Sequence, residues 1–95
     1  MPTARAAAGA VSVYGSIYVL GGAANGQVLG TVERYDASVD AWYPMAPMGV
    51  ARAGVGAAVV EQKIFVFGGS DGVTELNTVE VADVGLPENY QNQKP

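Results

Sequence analysis

The second half of this chain restates the first at a fixed offset. Arg5 returns as Arg52, 47 residues on. At the same offset Gly9 returns as Gly56, Ile17 as Ile64, Val19 as Val66, and Gly21-Gly22 as Gly68-Gly69. Further along, Leu29 returns as Leu76, Thr31-Val32-Glu33 as Thr78-Val79-Glu80, Asp36 as Asp83 and Tyr43 as Tyr90. A period of this length marks one supersecondary unit, copied and stacked, in which each copy leans on its neighbours for a core. Two copies fill the 95 residues, and an array that short leaves much of its apolar surface without a neighbour.

Each copy reads as a series of short strands. The first is rich in Ala and Gly, over Ala6 to Tyr14 and again Ala53 to Glu61, so another backbone can come close to it. The second is a continuous apolar run, Ile17-Tyr18-Val19-Leu20 and Ile64-Phe65-Val66-Phe67. Four β-branched and aromatic residues ended by Gly-Gly make a strand, and apolar character on both faces predicts cover on both faces. Gly15-Ser16 and Gln62-Lys63 are the expected hairpin turns between them. Polar loops follow the diglycines, Ala23 to Gln27 and Ser70 to Thr74, with Asn25-Gly26 and Asp71-Gly72 as turn dipeptides. The third strands are expected at Thr31 to Tyr35 and Thr78 to Ala82, with Val32 and Arg34 on one face and Glu33 and Tyr35 on the other. A fourth is clear at Ala41 to Met45, where Pro44 and Pro47 confine it to a sheet edge. Its counterpart, Glu88 to Asn92, is polar and weak. No apolar 3.6-residue period runs long enough for a helix.

Composition narrows the chemistry. With 49% apolar and 15% charged residues the chain can build a core and is not of disordered type. Its net charge of −4 gives no electrostatic reason to expect nucleic acid or an anionic membrane. There is no cysteine and no histidine, which removes disulfides, zinc–thiolate sites and Ser-His or Cys-His nucleophilic pairs. No cofactor is expected. No stretch reaches the roughly 20 apolar residues of a membrane-spanning helix. The N-terminal run lacks a signal-peptide core and matches the repeat, so it is expected to belong to the fold, and a cytoplasmic location is the expectation.

Four-stranded units of this period suggest the radial sheets of a β-propeller. The residues also resemble a known family. A Gly-rich first strand, an apolar second strand ending in Gly21-Gly22, a polar loop, then Tyr35 and Trp42 separated by six residues is similar to the kelch repeat. The strings MPTAR, VERYD, DAWYPMAPM and GVARAGVGAAVV look like the kelch-like subgroup. The resemblance implies two four-stranded antiparallel blades, residues 1–47 and 48–95, of a propeller that usually has about six. It further implies a non-enzymatic protein- or peptide-binding module. Partners of such modules contact the loops after the second strands and residues near the start of the first. Here those positions include Arg5, Arg52, Asn25, Gln27, Ser70, Asp71 and Thr74. In the second copy Ala82 and Asn89 stand where Tyr35 and Trp42 stand in the first, so its outer edge is expected to be looser.

Two readings stay open for the arginines. Each can offer a bidentate fork to a partner's carboxylate, or form an internal ion pair with the equally repeated Glu33 and Glu80. The diglycines read as backbone devices, since no helix start follows to hold a phosphate. Asn25 and Asp71 read as turn formers, and Tyr35 and Trp42 as packing between blades. An alternative function is a carbohydrate-binding or mutarotase-like propeller whose Arg-lined channel takes acidic sugars. A third is a repeat remnant with no independent role. The missing blades are expected from homo-oligomerisation, with three chains giving six blades, from a two-by-two pairing, or from a longer parent polypeptide.

Overall fold

The computed structural model describes residues 4–83. The strands in order are β1 (Gly9–Val13), β2 (Ser16–Leu20), β3 (Ala23–Ala24), β4 (Gln27–Val28), β5 (Val32–Asp36), β6 (Ala41–Met45), β7 (Gly56–Val60), β8 (Lys63–Phe67) and β9 (Val79–Asp83). Among the described residues there is no helix, and every pairing is antiparallel. The fold is all-β, as the residues predict. The first sheet has the order β1-β2-β5-β6 and the second β7-β8-β9, while β3 and β4 form a small hairpin of their own. The expected strand at Glu88 to Asn92 lies outside the described residues.

The hairpins joining β1 to β2 and β7 to β8 turn one residue earlier than the expected Gly15-Ser16 and Gln62-Lys63. Val13 pairs with Ser16 and Val60 with Lys63, so the central residues are Tyr14-Gly15 and Glu61-Gln62. Both members of each turn have positive φ, 50° and 80° in the first and 48° and 70° in the second. That geometry continues the twist of the flanking strands without splaying them. Register decides the matter. It puts Ser16, Tyr18 and Leu20 together on the buried side of β2, and a slip of one residue would turn all three outward. The third strands also start one residue later than expected, at Val32 and Val79.

The core lies between the sheets. Val13, Tyr18, Leu20 and Val32 of the first sheet are buried with Ile64 and Val66 of the second, and Met48 and Val55 of the linker pack on them. At about 25 cal/mol per Å² of apolar surface, such a cluster supplies most of the favourable energy in a chain this small. The expectation of cover on both faces of β2 and β8 is corrected here: Ile17 is 42% exposed and Phe67 43%. Two stacked sheets can cover only the faces they turn toward each other.

The linker between the sheets is tied down by backbone pairing. The amides of Met48 and Arg52 donate to Gly30 O and Leu29 O, the Gly22 amide donates to Arg52 O, and the Gly54 amide to Ala7 O, at 2.8–3.1 Å. Gly21 and Gly22 make this crossing possible. Their φ values are 68° and 101°, and a Cβ on Gly22 would stand 2.7 Å from Ala6 O. A side chain on Gly21 would overlap the Arg52 carbonyl. Close backbone approach is the physical demand that glycine meets at this point.

Candidate functional site

Both repeated arginines point inward. Arg5 Nη1 donates to Gly21 O at 2.8 Å and Thr31 O at 2.9 Å, and its Nη2 donates to Glu33 Oε1 at 2.6 Å. Arg52 repeats the pattern with Gly68 O and Thr78 O, both at 3.1 Å, and with Glu80 Oε2 at 2.9 Å. The two guanidinium side chains are 0% and 1% exposed. Each planar fork clamps the end of one strand to the start of another, a task for which a lysine's point charge lacks the geometry. Of the two readings of Arg5 and Arg52, the internal ion pair is therefore the one the structure builds. Their clamps fix where the loops after β2 and β8 leave the sheet.

Glu80 does more than its counterpart's position foretold. Its carboxylate also accepts from the linker amides of Gly49 at 2.7 Å and Val50 at 2.9 Å. Burial pushes its pKa up, but those two amides and the Arg52 charge outweigh it, and the group sits below the ordinary glutamate value. The second sheet's clamp thereby holds the inter-sheet linker as well.

The loops above the clamps form one edge. In the first, Asn25 has φ of 53° and turns the β3–β4 hairpin together with Gly26, and Asn25 and Gln27 are both exposed. In the second, Ser70 bridges to Ala53 and Glu75, and its Oγ accepts from the Gly72 amide at 3.1 Å. Asp71 Oδ1 accepts from the amides of Thr74 at 2.7 Å and Val73 at 2.9 Å, which holds its carboxyl below the usual range. The Asp71 amide donates to Thr74 O at 3.2 Å. Asp71 and Thr74 are exposed, and Ser70 is half-buried. A Cβ on Gly72 would come within 3.1 Å of Val28 Cγ2, so the loop of the second sheet leans on the hairpin of the first. The structure thus brings Asn25, Gln27, Ser70, Asp71 and Thr74 to one edge and takes Arg5 and Arg52 beneath it.

Val73 escaped the reading of the sequence. It is 93% exposed at the tip of the clamped loop. The signal was present: an Asp whose carboxylate caps the next amides forces the residue between them outward. A lone apolar residue in a polar loop is still a faint mark.

Between the sheets lies a cavity of about 280 Å³, lined by Tyr18, Leu20, Val32, Met45, Ile64 and Ala82 among others. Tyr35 and Trp42 pack on the first sheet with centroids 5.0 Å apart and rings tilted by 44°, and the small Ala82 takes Tyr35's place on the second. The cavity opens on that substitution. Among the described residues no group of three acidic or metal-ligating side chains could hold a metal ion, and no helix is long and apolar enough to cross a membrane.

Residues 4–49 and 51–81 each match the family profile of the Kelch motif. No curated protein is matched by this sequence.

Proposed function

The chain belongs to the Kelch motif family, and on that premise we propose that it is a protein- or peptide-binding module which engages its partner through the loop edge at residues 25–28 and 70–75. Kelch repeats are generally protein-interaction modules, and the family is typically non-enzymatic. The observation that carries the proposal is Val73, an apolar side chain 93% exposed on a loop whose backbone is already fixed by Asp71. A loop ordered before binding loses little entropy on binding, and an exposed apolar tip gains area by being covered. Asn25, Gln27, Ser70, Asp71 and Thr74 form the polar rim. Arg5 and Arg52 act as positioning residues beneath it. Both guanidiniums on which an acidic-sugar site would depend are bound to Glu33, Glu80 and backbone carbonyls, so the geometry favours a polypeptide partner.

The test is a selection. Peptides isolated from a displayed random library against the whole chain are measured against Val73→Ser and Asp71→Ala. Binding weakened tenfold or so by each change is the expected result. Peptides that bind both variants as they bind the parent would place the contact elsewhere.

A further inference from the structure

The two sheets stack front to back, and the stack ends in two uncovered faces. On the second sheet, register puts Val60, Phe65, Phe67, Val79 and Val81 on the side opposite the buried Ile64 and Val66. Val60, Val79 and Val81 are 55%, 50% and 52% exposed. On the first sheet the uncovered side carries Ile17, Val19, Tyr35 and Trp42. The repeat relates these faces to the ones already joined inside the chain. Phe65, Phe67 and Val79 are the counterparts of Tyr18, Leu20 and Val32, which are buried at 2–7% exposure. Ile17 and Val19 are the counterparts of Ile64 and Val66, which are buried at 1% and 2%. The free faces are therefore the two halves of an interface that the chain makes once with itself.

Side-chain volume sharpens the match. Within the chain, the face bearing Arg34, whose guanidinium lies 4.5 Å over the Tyr43 ring, meets a face where Ala82 has replaced an aromatic, and a cavity remains. On the free faces the sizes are exchanged. Val81 stands where Arg34 stands, and the Tyr35–Trp42 pair stands where Ala82 stands. The ionic groups at the rim of the second sheet's free face, Lys63 and Asp83, are paired at 3.6 Å and leave no net charge to repel an apolar neighbour. On the other face, Glu33 is held by Arg5.

From this we propose that copies of the chain associate head to tail, with the Phe65–Phe67–Val81 face of one against the Ile17–Tyr35–Trp42 face of the next. Such a contact is heterologous, so it leaves one free face at each end and closes only as a ring. The inference rests on the blade reading and not on the loop surface, and its test reads mass and not partner binding.

The experiment uses one substitution per face. Ile17→Glu blocks the first sheet's free face and Val79→Glu, at the counterpart of the buried Val32, the second's; both sites are about half exposed, so neither enters the core. The parent chain is expected to rise from 9.7 kDa toward three times that mass as concentration climbs from micromolar to millimolar in sedimentation equilibrium. Each variant alone stays at 9.7 kDa, and their equimolar mixture forms a species of twice that mass, because one intact face remains on each. Cooperative thermal unfolding checks that each variant folds; Ala10→Glu and Phe67→Glu replace any that does not. A parent chain monomeric at millimolar concentration overturns the proposal and leaves the free faces to residues 84–95 or to a different polypeptide. A single variant that still associates alone overturns it too, since that result requires like faces to pair.

Discussion

The two sheets share an inner half and differ in their outer half. Inside, the arginine clamp, the positive-φ diglycine and the tight hairpin recur, with Arg5 on Gly21 and Thr31 and Arg52 on Gly68 and Thr78. Outside, the first sheet ends in β6, with Trp42 tilted against Tyr35 and Tyr43 under Arg34. The described part of the second ends at β9, with Ala82 where Tyr35 would be and Phe65 stacked on Phe67 over the opposite face. What recurs is backbone geometry that any such unit needs to fold. What differs is side-chain volume, and volume selects which surface fits which neighbour.

The clamps give the sharpest way to break the comparison. Arg5→Met strips two strand-end carbonyls and a buried carboxylate of their charge partner, and it is expected to cost about 3–5 kcal/mol, enough to leave the chain largely unfolded. Arg52→Met is expected to cost less, because Glu80 keeps the linker amides of Gly49 and Val50 and is 25% exposed against 7% for Glu33. Urea unfolding of the two variants side by side checks the order. Equal losses would mean that the linker contacts contribute nothing.

The outer edges come next. Trp42→Ala removes the aromatic pair from the first sheet and is expected to destabilise by about 1–2 kcal/mol, aromatic pairing and partial burial together. Ala82→Tyr makes the reverse change on the second sheet. It places a ring against the 280 Å³ cavity and is expected to stabilise by about 1 kcal/mol, read as a rise in Tm. A fall in Tm would mean that Met45 and Met48 already close the space on the time average.

Acid should separate the sheets in a smaller way. The folded pKa of Glu80 lies below its ordinary value of 4.5, so its stabilisation is complete above that pH and is lost as pH falls through the folded value. Glu80→Gln is expected to flatten the acid limb of the stability curve below about pH 4.5, while leaving linker amide exchange faster at neutral pH. The smallest effect belongs to the loop. Asp71→Ala frees the amides of Val73 and Thr74 and is expected to leave the urea midpoint close to the parent's, yet to raise hydrogen exchange at those two amides.

Most of the strands were legible from residue order. Ile17 to Leu20 and Ile64 to Phe67, bounded by diglycines, admit little but short strands, and the all-β class follows from them. The pairing of Arg5 with Glu33 was legible as one of two readings, because both residues recur at the same offset. The turn position was not, since Gly15 drew it one place late and only the pairing of Val13 with Ser16 corrects it. Val73 was legible only as a lone apolar residue in a polar loop. Its exposure depends on Asp71 bending the loop outward and on Gly72 leaning against Val28.

By itself, then, the sequence determined the unit: its period, its strands, its glycine crossings and the residues that clamp it. These are set by local sterics and by hydrogen-bonding capacity carried within one copy. Only the tertiary structure decided which face of each sheet is covered. Ile17 and Ile64 are the same residue in the same strand context, yet one is 42% exposed and the other 1%. Burial requires a neighbour, and with apolar side chains on both faces of β2 and β8 the alternation of residues carries no information about where that neighbour stands.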